Sequence, residues 1–318
     1  MSNKSEEQIQ DTRPYTVYRN DIKYRNRNDI DMSRAVFENE DVKKDFMNGQ
    51  TDTIDYRIKD CIREKYQVFD LAHMPSNAFE LLKSHKLFNE IAPKVEVLSA
   101  NDCEFENLPD LTMFSRLISL NIGDNKLTSL PKLPESLEEL IIDNNRIQLI
   151  PYMKNLKRLR ARKNDIKKIH YSATMESLNL SDNTNLKEIA QLPRLYSLDI
   201  ARTGIADIPT FPNLKFLDMT ETNIKSLPNL PLLHILICVR SELSDISKLS
   251  NLYSLVSTNS KVRKIHFMET LQKFTYHNDH KNEIRVSNQY KAHRIIKNKS
   301  DVIDMMFKEN PVPVNVMS

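Results

Sequence analysis

One periodic pattern governs the middle of this chain. Written as L-x-x-L-x-L-x-x-N-x-L-x-x-L, it begins at Val95, Leu117, Leu137, Leu156, Met175, Leu195, Leu214, Leu233 and Leu252. Successive starts lie 22, 20, 19, 19, 20, 19, 19 and 19 residues apart. Nine copies with five apolar positions give 45 sites, and all but Ser257 are apolar once a one-residue insertion moves the fifth copy's last two to Leu186 and Ile189. A chain that is 40% hydrophobic fills roughly 18 of them by chance. The L-x-L core is a strand signature, with alternate side chains on one face. A unit of this length cannot bury its apolar side alone, whereas stacked units cover one another. The pattern therefore predicts an α/β solenoid with one curved parallel sheet, a helical N-terminal cap and a short helical C-terminal cap. Prolines crowd the return half of the repeats (Pro131, Pro134, Pro151, Pro193, Pro209, Pro212, Pro228 and Pro231). They favour extended backbone, so little helix is expected on the back.

The ninth position reads Cys103, Asn125, Asn145, Asn164, Asn183, Thr203, Thr222, Ser241 and Ser260. A polar side chain recurring at one buried corner needs hydrogen bonds. Asn has two donors and an acceptor and can bridge consecutive turns; the hydroxyls are expected to do the same less well. The ladder Asn125, Asn145, Asn164, Asn183, Thr203 and Thr222 is read as structural.

The stretch LPKLPESLEELIIDNNRIQLIP, residues 130–151, resembles the short leucine-rich repeats of bacterial effectors delivered into host cells. Its Ile/Asn/Lys-rich wording is also similar to repeat proteins of large DNA viruses. The resemblance spans about residues 95–275 and implies a generic binding scaffold with a concave interaction face. It implies a viral or bacterial protein acting in the host-cell cytoplasm. Some such effectors carry a C-terminal ubiquitin-ligase domain with a catalytic cysteine. Too few residues follow the array for that domain, and no cysteine lies beyond Cys238, so that activity is not carried over.

The flanks divide the chain further. Residues 1–30 are polar and read as a flexible arm. Residues 31–94 are expected to form a helical cap with one longer strand–helix repeat. Within it, Ile54, Ile58, Cys61 and Ile62 make a helical stripe, and Tyr66, Phe69 and Leu71 point inward from a degenerate strand. Asn77 and Glu80 suggest a capping box opening a helix that carries Phe79, Leu82, Leu87 and Ile91. The array occupies residues 95–278. A tenth copy starts at Leu271 and Phe274 but fails at Asp279 and Lys281. Residues 279–318 are expected to be a helical cap and tail.

Composition narrows the function. Gly49, Gly123 and Gly204 are the only glycines and none is near another, which argues against phosphate-cradling loops. Cys61, Cys103 and Cys238 are widely spaced and form no zinc motif. There is no long apolar run and no apolar N-terminal leader, so neither a membrane span nor a Sec-type signal is expected. The net charge of +3 suits neither a polycation nor a polyanion.

Two clusters fall on the concave repeat positions 2, 3, 5, 7 and 8. The first is basic, with Lys157, Arg158, Arg160, Arg162 and Lys163, flanked by Lys154, Lys167 and Lys168. It fits an acidic partner or a phosphate backbone. Cross-strand pairing competes with that reading: Lys157 faces Glu138 and Glu176, Arg158 faces Glu139, Arg162 faces Asp143, and Lys163 faces Asp182. Arg160 has Ile141 and Asn179 beside it and no acid, which makes it the candidate for an outside contact. The second cluster is apolar: Phe216, Ile235, Ile237, Val239, Tyr253 and Val256, extended by Tyr196. It reads as a partner site, or as the seat of the C-terminal helices.

Asp199 and Asp218 share a column, with Arg202 expected to neutralise them. No nucleophile and base accompany them, so no enzyme constellation can be assembled. His277 and His280 read as a surface turn, not a metal site. The leading expectation is a non-enzymatic scaffold that binds another protein, without cofactor, metal, membrane or small-molecule substrate. The alternative is nucleic-acid association through the basic repeat and residues 281–299. A particle component that self-associates is a third reading.

Overall fold

The computed structural model describes residues 54–262, 264–265 and 270–275, with further two-residue strands at Tyr15–Thr16, Ala35–Val36 and Arg285–Val286. The remainder of the expected arm and the helices expected beyond residue 279 lie outside the described residues.

Eleven three-residue strands form one parallel sheet in strict chain order. They are β1 (Val68–Asp70), β2 (Val97–Ser99), β3 (Ser119–Asn121), β4 (Glu139–Ile141), β5 (Arg158–Arg160) and β6 (Ser177–Asn179). They continue as β7 (Ser197–Asp199), β8 (Phe216–Asp218), β9 (Ile235–Ile237), β10 (Ser254–Val256) and β11 (Lys273–Thr275). The central residues stay in register from Phe69 through Leu98, Leu120, Leu140 and Leu159 to Leu255 and Phe274. Repeats of 19, 20 and 22 residues thus share one strand pitch, and the extra residues sit in the return loops. The sheet takes in one strand before the first of the nine copies and one after the last. β1 is the degenerate strand, and β11 forms from the start of the failing tenth copy.

Every copy turns out of its strand through the same backbone feature. Its eighth residue has positive φ: Asp102, Asp124, Asn144, Lys163, Asp182, Arg202, Glu221, Arg240 and Asn259, at 49–64°. This left-handed turn aims the residue's N–H at the seventh carbonyl of the next copy, as in Asp124 to Asp143 (2.8 Å) and Arg202 to Thr220 (2.7 Å). The bend is repeated with no glycine in the column, although left-handed backbone disfavours most side chains.

The ninth residue holds each turn. Asn145 Nδ2 donates to the carbonyls of Ile122, Ile142 and Asp143, and its Oδ1 accepts from Leu127 N–H (2.9 Å). Asn125, Asn164 and Asn183 likewise join their own turn to the preceding one. The hydroxyl half differs in kind. Thr203, Thr222, Ser241 and Ser260 each donate to the carbonyl three residues back in their own turn. A hydroxyl on a short stem closes the local turn; the longer amide also crosses to the neighbour.

The core is a single apolar column running from the cap into the last copies. Ser257 interrupts it at the sixth position: it is buried, and its Oγ has no partner among the described residues. No helix occurs between residues 95 and 262. The return side carries short paired strands, Lys168–Ile169 with Glu188–Ile189 and, in the ninth copy, Lys264–Ile265 with Arg285–Val286.

The cap departs from the expected pattern in three places. Helix α1 (Ile54–Arg63) buries Ile58 and Cys61, but Ile62 is exposed and Arg57 is wholly buried instead. Arg57 reaches over β1, pairs with Asp70 (2.9 Å) and donates to the Ala72 carbonyl (3.0 Å). The expected single second helix is broken into α2 (Ala78–Ser84) and α3 (Phe88–Ile91). Asn77 makes no side-chain cap bond, because its φ of −93° and ψ of 9° lie outside the extended conformation that an N-cap uses.

Candidate protein-interaction face

The sheet sends positions 3 and 5 of each repeat to the concave side while position 4 enters the core. At the middle of this face the basic cluster is knitted to acids on the preceding strands. Lys157 pairs with Glu138 (2.9 Å) and Arg158 with Glu139 (3.1 Å). Glu139 is fixed in turn by the Ser119 hydroxyl (2.9 Å). Asp143 takes two arginines. Its Oδ2 accepts from Arg160 Nε (2.5 Å) and Arg162 Nε (2.9 Å), and its Oδ1 accepts the Arg162 backbone N–H (2.8 Å). The expectation that Arg160 lacks an acid is therefore corrected. Asp143 is not directly across from Arg160 but two residues further along the neighbouring chain, and the long side chain spans that diagonal.

The charge column continues at the left-handed turn. Arg202 grips both carboxylate oxygens of Asp182, with Nη2 at 2.8 Å from Oδ2. That bond holds the Asp182 carboxyl below the usual carboxylate range. Arg202, expected to neutralise Asp199 and Asp218, forms its ion pair with Asp182 on the same turn column, and the Asp199 charge acts on it more weakly. Asp199 and Asp218 face each other in register. Each accepts the backbone N–H two residues ahead, Ala201 (3.0 Å) and Thr220 (2.9 Å), and Asn179 Nδ2 also reaches Asp199 (3.1 Å). These bonds assign both carboxylates to turn geometry.

The apolar cluster does not form an open patch. Ile235, Ile237 and Val256 are buried as a separate hydrophobic cluster with Phe216 and Val239 packed against it. Ile237 is 0% and Val256 2% exposed. β-branched side chains at matched register positions on strands about 4.8 Å apart pack against one another, so this face behaves as a small second core. Phe216, Val239 and Tyr253 remain half-buried, and Lys273 lies over the Tyr253 ring (5.3 Å). Tyr196 is half-buried, and burial followed by the Glu176 charge pushes its phenol up.

The chemistry available elsewhere is limited. Cys61, Cys103 and Cys238 are buried and form no disulfide among the described residues. Burial pushes the Cys61 and Cys238 thiols up to about 12, away from thiolate reactivity. Among the described residues no group of His, Cys, Asp and Glu could hold a metal, and no helix is long and apolar enough to cross a membrane. His277, His280 and most of the basic segment 281–299 lie outside the described residues.

One surface was not anticipated. On the return side Leu149 (61%), Tyr152 (71%) and Tyr171 (56%) are exposed, and Tyr152 lines a hollow of about 670 Å³ together with Leu130, Pro131, Leu133 and Pro134. Tyr152 and Tyr171 occupy the sixteenth position of successive copies, a signal that tabulating the return half by position would have revealed.

The repeat template, the in-register parallel sheet and the asparagine ladder define a leucine-rich-repeat solenoid. No family description matches the sequence, and no curated protein does. Among solved structures, YopM from Yersinia enterocolitica WA-314 is 22% identical, with a TM-score of 0.34, covering 59% of this chain and 52% of that one. The chain thus spans about half the length of that protein. YopM from Yersinia pestis, described as a leucine-rich effector protein, is 18% identical with a TM-score of 0.47, covering 76% and 91%. InlJ from Listeria monocytogenes is 19% identical with a TM-score of 0.42, covering 60% and 50%.

Proposed function

We propose that this chain is a non-enzymatic scaffold that binds another protein on its concave face. The observation that carries the reading is the tethered basic row on β5. Arg158, Arg160 and Arg162 are held by acids of the preceding turn, yet remain 34–46% exposed. A face that is already ordered loses little conformational entropy on docking. The row supplies orientation and on-rate. Tyr196, Phe216, Val239 and Tyr253 supply half-buried apolar contact further along, supported from beneath by Ile235, Ile237 and Val256. The resemblance of residues 130–151 to effector and viral repeats supports a site of action in the host-cell cytoplasm.

The test is capture from host-type lysate with three proteins: wild type, Arg158→Glu/Arg160→Glu on the concave face, and Tyr152→Ala/Tyr171→Ala on the return face. The reading expects a protein lost with the concave variant and kept with the other, at low and moderate salt. Capture that needs the return-face tyrosines would refute it. Capture that is nuclease-sensitive and vanishes with salt would replace it with nucleic-acid binding.

A further inference from the structure

Asp143 is 3% exposed, while the two guanidinium groups that converge on it are 46% and 44% exposed. Its Oδ2 is shared between Arg160 and Arg162, and its Oδ1 is occupied by a backbone N–H. Two cations therefore share one carboxylate, and the cluster keeps an excess of positive charge. Most neighbouring acids hold cations of their own, although Asp182 also acts on Arg162 through space. Glu139 serves Arg158, Glu138 serves Lys157, and Asp182 is gripped by Arg202. Arg160 bonds through Nε, which fixes the plane of the guanidinium and leaves the edge carrying Nη1 and Nη2 without a partner among the described residues. Arg158 also bonds through Nε and leaves the same edge open. An end-on guanidinium edge matches a carboxylate in two parallel hydrogen bonds.

Arg158 and Arg160 are alternate residues of β5, on one face, about 6.6 Å apart along the strand. That distance is also the repeat of alternate side chains in any extended peptide. We propose that this row receives an extended acidic segment of the partner protein, with carboxylates at alternate positions, one on Arg158 and the next on the Arg160/Arg162 pair. The proposal rests on the concave-face reading and adds the chemistry of the partner. Asp143 acts in it as a positioning residue.

The experiment is fluorescence anisotropy with two labelled peptides of equal composition. One places glutamate at every second position among serines; the other carries the same number of glutamates at every third position, so that successive carboxylates fall on opposite faces of the extended chain. Oligo-dT of equal charge serves as competitor. The full chain should prefer the alternating peptide. Arg160→Gln should weaken that peptide about tenfold or more, the worth of a hydrogen-bonded charge. Arg160→Lys keeps the charge but loses the two-pronged edge, and should lose most of the preference. Asp143→Asn adds positive charge yet releases both arginines, so it should abolish the preference without reducing total anion binding. Circular dichroism on each variant shows that the fold is intact. Equal binding of both peptides, no binding of either, an Arg160→Lys variant as selective as wild type, or tighter binding of oligo-dT would each overturn the proposal. If the peptides fail while Arg158→Glu/Arg160→Glu still loses the lysate partner, only this inference falls and the concave-face scaffold stands.

Discussion

Replacing Asn145 with alanine should destabilise the solenoid about three times as much as replacing Thr203 with alanine. The two side chains occupy the same repeat position, 8% and 5% exposed, and differ in what they hold. Asn145 makes four bonds, two of them to Leu127 and Ile122 of the preceding turn. Its loss leaves the buried Leu127 N–H unpaired and strips donors from the carbonyls beneath. An orphaned buried group costs about 1–3 kcal/mol, and each lost ordinary bond contributes about 1 kcal/mol. The total is about 3 kcal/mol. Thr203 makes one such bond, to Ile200 in its own turn (2.7 Å), so its loss costs about 1 kcal/mol. Asn145→Thr should fall between, because the local bond can re-form while the crossing ones cannot. Urea unfolding followed by tyrosine fluorescence measures the three values, with unchanged slope as the check on comparability. Hydrogen exchange at the Leu127 amide should quicken in Asn145→Ala and Asn145→Thr and stay protected in Thr203→Ala. Equal costs for Asn145→Ala and Thr203→Ala would refute the argument that asparagine joins consecutive turns.

Three further outcomes follow from the packing. Arg57→Ala leaves Asp70 without its buried partner and should cost about 3–5 kcal/mol, seen as a lower urea midpoint. Ser257→Ala removes a buried hydroxyl without a described partner and should raise stability by about 1 kcal/mol; a lower midpoint would contradict it. Asp182 is an acid held below its ordinary value of 3.8 by Arg202, so its contribution is present above that pH and is lost as pH falls further. Asp182→Asn should therefore cost up to about 1 kcal/mol at neutral pH, this being a largely solvated pair, with the difference from wild type shrinking below pH 3.8. A difference that persists at pH 2 would show that the ion pair is not its source.

The fold was legible because each buried position of the repeat is apolar in nearly every copy, so the sheet's register can be read from Leu120, Leu140 and Leu159 alone. What escaped is a matter of backbone and of diagonals. The left-handed eighth residue is a backbone property, and Lys163, Arg202, Glu221 and Arg240 carry no residue-type signal for it. Arg57 lies three residues after Ile54 and four before Cys61, at the edge of the buried stripe, but its charge argued for solvent until Asp70 and the Ala72 carbonyl came within reach. The acid for Arg160 was hidden because pairing was read straight across the strands, where Ile141 stands, and not along the diagonal to Asp143. Ile235, Ile237 and Val256 pack together with Phe216 and Val239 against them, and composition does not show that Ile237 and Val256 are buried already.

The central claim is that the concave face is the binding surface. A photo-crosslinking residue placed singly at Ser177 or Ser197, on the concave side of β6 and β7, and at Tyr152 or Tyr171 on the return side, tests it directly in host-type lysate. The account predicts a protein adduct from the two concave positions and none from the return positions. Adducts confined to Tyr152 and Tyr171, or adducts at Ser177 and Ser197 that nuclease removes, would contradict it.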